Sequence, residues 1–234
     1  MNYRMSLNAA VIVGAVLLGI LPAPAQQPAS ADSSRWEDDI KKFEAADREH
    51  PPAPGGIVFV GSSSIRLWDL EKSFPDRPVI NRGFGGSAMA DVAAFADRIV
   101  VPYKPKTVVI YSGDNDLANG KSPAQVVGDF QAAVQKIQAA LPETRIVVIA
   151  IKPSKARWNL AETMREANGW MRAVVDSDPH LAYADVHQAM LTADGKLREE
   201  LFVADGLHLN AAGYELWTSI VGPLLDPPGA APRP

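Results

Sequence analysis

The chain has no cysteine among its 234 residues, so neither a disulfide nor a lipid anchor on a modified cysteine is available, and the fold must stand on its core. Histidine is scarce, with His50, His180, His187 and His208 the whole set. No second histidine or cysteine stands at ligand spacing beside His208, which argues against a metal, and we expect no metal and no organic cofactor. Basic residues are not in excess: 23 Lys and Arg face 27 Asp and Glu, a net charge of -4. Such a chain offers no broad positive field, which argues against nucleic acid or an anionic membrane as partner.

Long apolar runs are also missing, apart from the one between Ala9 and Leu21. It follows Arg4, breaks at Pro22 and closes with Ala23-Pro24-Ala25. That order reads as a secretory signal peptide over residues 1–25, too short for a comfortable transmembrane helix and with the small residues a signal peptidase needs. An uncleaved anchor is the other reading. Cleavage after Ala25 implies an exported protein, periplasmic or extracellular, with no stable membrane insertion afterwards. Residues 26–33 are small and polar and residues 226–234 are rich in proline, glycine and alanine, so both read as flexible ends. One domain over residues 34–225 remains.

Within it, residues 34–49 place Trp36, Ile40 and Phe43 on one helical face, and Pro51-Pro52-Ala53-Pro54-Gly55-Gly56 ends that helix. Short apolar runs at 57–60, 79–80, 107–111, 146–151 and 181–186 read as buried strands. Helical patterns lie between most of them. In the clearest, Val126, Val127, Phe130, Val134, Ile137 and Leu141 form a stripe that opens with Ser122, Pro123 and Gln125, a capping box with proline in the first turn. Residues 161–175 and 212–225 are helical by pattern, the second stopped or kinked at Pro223. Alternating strands and helices imply a parallel sheet covered on both faces, a three-layer α/β/α sandwich of flavodoxin-like, five-stranded form. Ligands of such sheets bind outside the carboxyl ends of the strands.

Chemistry-bearing residues stand at those ends. Gly61-Ser62-Ser63-Ser64-Ile65 follows the first strand, Asn81-Arg82-Gly83-Phe84-Gly85-Gly86 the second, and Gly113-Asp114-Asn115-Asp116 the third. Asp205-Gly206-Leu207-His208 comes after the fifth strand and a loop. A serine, a base and an orienting acid can then converge.

These blocks resemble the SGNH, or GDSL, hydrolase superfamily, with its Gly-Asp-Ser motif, glycine turn, Gly-x-Asn turn and closing Asp-x-x-His. The likeness runs from about Ile57 to Trp217. The stretch Lys152-Pro153-Ser154-Lys155-Ala156-Arg157-Trp158 is similar to a segment of one bacterial branch. The resemblance implies Ser63 as nucleophile, Asp205 and His208 as acid and base, and Ser63, Gly86 and Asn115 as donors of an oxyanion hole. Ser62 departs from the pattern, where the family usually has aspartate, and this puts the rigidity of the loop in question. The implied activity is a serine carboxylic-ester hydrolase acting on short acyl, chiefly acetyl, esters of small molecules or carbohydrates. An acyltransferase using the same acyl-enzyme, or a non-catalytic carbohydrate-binding relative, are the alternatives.

Each residue has a plainer reading beside this one. Three adjacent serines often form only a turn or a cap, the glycines permit a tight loop, and Asn115 suits an Asx-turn. The glycines do not have the G-x-G-x-x-G spacing, and no P-loop lysine follows, so phosphate binding is a weak reading. Asp116 reads as shaping its turn. Arg66, Arg82 and Arg157 either line the site mouth as substrate-binding residues or pair with Asp91, Asp114 or Asp116. Trp68, Trp158 and Trp217 read as core before sugar-stacking surface.

Overall fold

A computed structural model describes residues Ser33–Asp226. The expected signal peptide, most of the expected linker and the residues beyond 226 lie outside it. A 3-10 turn over Ser33–Trp36 leads into α1 (Glu37–Glu49), and β1 (Ile57–Gly61) follows. Two short helices, α2 (Ser63–Arg66) and α3 (Leu70–Ser73), precede β2 (Val79–Gly83), and α4 (Met89–Ile99) connects to β3 (Thr107–Tyr111). Then come α5 (Asp114–Ala118), α6 (Pro123–Ala140), β4 (Arg145–Ile149), α7 (Ala161–Asp176), β5 (Leu181–Ala184), α8 (Val186–Ala189) and α9 (Ala211–Val221).

All neighbouring strands pair in parallel, in the order β2-β1-β3-β4-β5. This is the flavodoxin-like order, and the chain reverses its direction of travel across the sheet between β1 and β3. Successive side chains of a strand point to opposite faces, and here both faces are apolar. Val58 and Val60, with Val108, Ile110, Ile146 and Val148, pack on one side beneath α1, α4, α6 and α7. Phe59, Val109, Tyr111, Val147 and Ile149 pack on the other, against Ile65 of α2, Trp68 of the link to α3, Val186 of α8 and Trp217 of α9. The expected three-layer α/β/α sandwich is therefore the architecture.

Element boundaries moved where polar residues hid the pattern. The second strand runs on through Asn81, Arg82 and Gly83, because β2 is an edge strand and polar side chains can leave it sideways. The fifth stops at Ala184, since Asp185 accepts a hydrogen bond from Gln188 N at 3.2 Å and starts α8. The last helix ends at Val221, and Pro223 sits in a 3-10 turn over Gly222–Leu224. The first and last described residues are tied to the domain: Ser33 Oγ donates to Asp91 at 2.8 Å and Arg77 donates to Asp226 at 2.8 Å.

The capping box of α6 forms as its sequence predicts. Ser122 Oγ accepts from Gln125 N at 3.3 Å, and Gln125 Oε1 accepts from Ser122 N at 2.9 Å. Ser122→Ala should lower unfolding free energy by about 1 kcal/mol in urea titrations, the usual cost of losing such a cap. Activity should be unchanged, because, among the described residues, the Ser122 hydroxyl bonds only within its own cap, to Gln125.

Candidate active site

The carboxyl ends of β1, β2 and β3 stand level, with Gly61 opposite both Gly83 and Tyr111. Gly61 has φ +143°, and a β-carbon there would come within 1.8 Å of Tyr111 O, so the chain can turn out of the sheet at this point only without a side chain. Ser62 N then donates to Tyr111 O at 3.0 Å, and Ser62 O accepts from Ile65 N at 3.0 Å and from Arg66 N at 3.1 Å. Ser62 itself is buried, with its hydroxyl unpartnered among the described residues. The backbone thus supplies the rigidity that the missing aspartate put in question. Ser63 opens α2, where a helix leaves its first N–H groups without internal partners.

From the far end of the chain, His208 reaches the same point. Its Nε2 lies 3.0 Å from Ser63 Oγ and its Nδ1 lies 2.7 Å from Asp205 Oδ2. Asp205 Oδ1 accepts from Leu207 N at 2.8 Å and His208 N at 2.9 Å, so one carboxylate folds its own loop and grips the ring. The hydrogen bond from the His208 side chain, and then the backbone N–H groups, hold the Asp205 carboxyl down to about 2. An ionised carboxylate only accepts, so the proton sits on Nδ1 and Nε2 is left to accept from the serine hydroxyl.

Gly86 and Asn115 are joined through Ser87. Asn115 Nδ2 donates to Ser87 O at 3.0 Å, which sets the amide against the turn that carries the Gly86 N–H. Gly86 has φ +78°, and Trp36 from the amino-terminal turn would meet a β-carbon there at 3.3 Å. Asp116 shapes its turn, as expected: fully buried, it accepts from Met89 N at 3.0 Å and Lys121 Nζ at 3.0 Å, fastening α5 to the start of α4. Burial pushes its carboxyl up, against the pull of Lys121.

The three arginines part company. Arg66 is exposed, with its guanidinium lying against Gly85 beside the site, where a β-carbon on Gly85 would stand 2.9 Å from it. Arg82 requires a correction. Its side chain turns away, donating to Tyr103 Oη at 2.7 Å and pairing with Asp47, so its role is to lock α1 to the sheet edge, not to bind substrate. Arg157 faces inward, donating to Asp114 Oδ2 at 2.7 Å and to Asn115 Oδ1 at 2.9 Å. Trp68 and Trp217 are core, and Trp158 is exposed.

Sequence reasoning passed over Asn81. Its Nδ2 donates to Ile65 O at 2.8 Å and to Trp68 O at 3.2 Å, while Oδ1 accepts from Gly83 N at 2.9 Å. It therefore stitches α2 to the glycine turn. Its only signal was an asparagine at a strand end.

With this geometry in hand, comparison with known proteins is decisive for the family. The sequence profile of the GDSL-like lipase/acylhydrolase family matches residues 66–216, more than half of the chain. The chain belongs to this family. The matched stretch begins just after Ser63 and includes Gly86, Asn115, Asp205 and His208. Platelet-activating factor acetylhydrolase IB subunit alpha1 of Homo sapiens is 27% identical over 201 residues, covering 82% of this chain and 84% of that one. Among solved structures, a GDSL-like lipase from Bacteroides thetaiotaomicron superposes with a TM-score of 0.70 at 16% identity, covering 80% of this chain and 97% of that one. A carbohydrate esterase family 3 protein from Talaromyces cellulolyticus gives 0.58 at 20%, covering 73% and 96%. Membership of the GDSL-like lipase/acylhydrolase family makes this chain a hydrolase of the acylhydrolase kind.

Because Arg82 pairs with Asp47, Arg82→Met should lower stability by about 2 kcal/mol, below the value for a fully buried pair because Asp47 is partly exposed. Denaturant titration measures this. KM for any ester substrate should stay within about twofold.

Proposed function

We propose that the chain is a serine carboxylic-ester hydrolase that acts on short acyl, chiefly acetyl, esters through an acyl-enzyme, and that it works outside the cytoplasm. The observation that carries the reading is the unbroken chain from Asp205 Oδ2 to His208 Nδ1 at 2.7 Å and from His208 Nε2 to Ser63 Oγ at 3.0 Å. Nucleophile, base and orienting acid are already within bonding reach.

In this reading Ser63 Oγ attacks the ester carbonyl carbon while its proton passes to His208 Nε2. The imidazolium so formed is stabilised by the Asp205 carboxylate. The oxyanion is met by the N–H groups of Ser63 and Gly86 and by the second N–H of Asn115 Nδ2, the first being given to Ser87 O. The bond to the leaving oxygen breaks, and His208 returns its proton to the departing alcohol. Water then attacks the acyl-serine, again giving its proton to His208, and the acid leaves as Ser63 recovers its hydrogen.

The short acyl preference rests on two supports. The sequence has no long apolar insertion to build a lid or a fatty-acyl tunnel, and the relative at 27% identity is named an acetylhydrolase. A carbohydrate esterase among the structural neighbours is compatible with a sugar as the alcohol part. Export rests on the amino-terminal segment of the sequence.

A panel of p-nitrophenyl esters tests the proposal. Acetate and propionate should turn over faster than octanoate, and Ser63→Ala should lose about 10⁴-fold or more in kcat. Equal rates for wild type and Ser63→Ala would overturn it. The pH profile is a separate check. Asp205 stays ionised down to about 2, so on acidification activity is lost only by protonation of the imidazole. The acid limb of kcat/KM should therefore fall with unit slope to about pH 3, and a slope approaching two would count against the assigned roles.

A further inference from the structure

Behind Asn115 lies a buried polar group that the proposed reaction does not use. Asp114 and Lys152 are almost wholly inaccessible, at 4% and 1% exposure, and Asp114 Oδ2 lies 3.5 Å from Lys152 Nζ. The same oxygen accepts from Arg157 Nη1 at 2.7 Å. Arg157 Nη2 then donates to Asn115 Oδ1 at 2.9 Å, so one guanidinium grips two adjacent residues of the third block with its two arms.

A carboxamide has nearly the same shape turned by half a revolution, and only its partners decide which end faces where. Arginine can only donate and a carbonyl oxygen can only accept. Arg157 therefore fixes Oδ1 at the back, and Ser87 O fixes one hydrogen of Nδ2 at the side. The remaining N–H is the one left to point at substrate. Turned over, Asn115 would set its own oxygen lone pairs against a developing oxyanion. Arg157 is itself held by its chain: it stands in the 3-10 stretch Lys155–Leu160 with φ -127° and ψ 27°, and neighbouring Ala156 N donates to Gly206 O at 3.1 Å. The segment after β4 thus touches both the Asn115 turn and the Asp205 loop.

We propose that Arg157, anchored on Asp114, is the positioning residue of the oxyanion hole, selecting the one orientation of the Asn115 carboxamide that can donate to the reacting oxygen. The inference rests on the esterase reading, and it replaces direct substrate binding as the role of Arg157.

The test uses Arg157→Lys, which keeps a cation beside Asp114 but cannot reach both Asp114 and Asn115. With p-nitrophenyl acetate, kcat should fall by about 10 to 10²-fold, less than or equal to the loss from deleting the donor itself, with KM within twofold and the melting temperature unchanged. In an Asn115→Ala background the same substitution should cost nothing more, because the amide it orients is gone. Free guanidinium should restore part of the rate to Arg157→Ala and none to the double variant Arg157→Ala with Asn115→Ala. Should Arg157→Ala fail to fold, the lysine variant and the double-variant cycle decide alone. Three results would overturn the proposal: kcat within twofold of wild type, an equal loss with and without Asn115, or a raised KM at unchanged kcat. One further readout needs no turnover. The side-chain amide resonances of Asn115, assigned by their loss in Asn115→Ala, should shift or broaden in Arg157→Lys while those of Asn81 stay still, and an unmoved Asn115 signal would also overturn it. Absence of esterase activity in the wild type would defeat the functional reading, and the amide signals would still decide the orientation.

Discussion

A single hydrogen bond spanning 145 positions of sequence, from Ser63 Oγ to His208 Nε2, sets the conditions that the rest of the structure has to meet. Its two partners come from opposite ends of the domain and share no element. A bond of this kind tolerates only a few tenths of an ångström before it weakens, so both approaches must be stiff. On the serine side the stiffness comes from steric contact and the backbone, with Gly61 close against Tyr111 and Ser62 N hydrogen-bonded across to the neighbouring strand. On the histidine side it is electrostatic, with one carboxylate bonded to two backbone N–H groups and to the ring.

The sheet serves this bond by levelling its strands. Because β1, β2 and β3 are parallel and in register, their turns arrive at a common edge, and the short side chains of Asn81 and Asn115 can cross-link them, Asn115 through the backbone carbonyl of Ser87. The aromatic cluster of Phe59, Phe74, Trp68 and Trp217 fills the space beneath α2, with ring centroids 5.4 to 5.7 Å apart. Rings are rigid for their area, so they make a firm floor for a helix of only one turn. Tyr214 adds a direct tie from α9, donating to Ser64 O at 3.0 Å.

Much of this was legible in the sequence, for reasons that differ by element. Strands buried on both faces must be apolar throughout, so β1, β3, β4 and β5 announced themselves. The α6 cap is a local motif and was equally plain. The glycine, asparagine and Asp-x-x-His blocks were legible because few residue types can turn a chain sharply or donate and accept at close range. What stayed hidden was direction. Nothing in the string Asn81-Arg82-Gly83 says that the arginine leaves the edge strand toward Asp47 while the asparagine beside it turns back to α2. Arg157 was ambiguous for the same reason, since its partners lie some forty positions away, and a guanidinium at a site mouth and one behind the site look alike in one dimension.

The loop that carries Asp205 and His208 has a property the sheet lacks. Asp205 is half exposed, and the loop is closed by the isolated bridge between Phe202 and Leu209, with Val203 N bonded to His208 O at 2.9 Å, and by Ala156 N bonded to Gly206 O at 3.1 Å. Neither Asp205 nor His208 is itself buried, so this loop, stiff while its hydrogen bonds hold, is free to open locally while the strands remain paired. Warming should silence the enzyme some degrees before the domain melts, and that early loss should reverse on cooling.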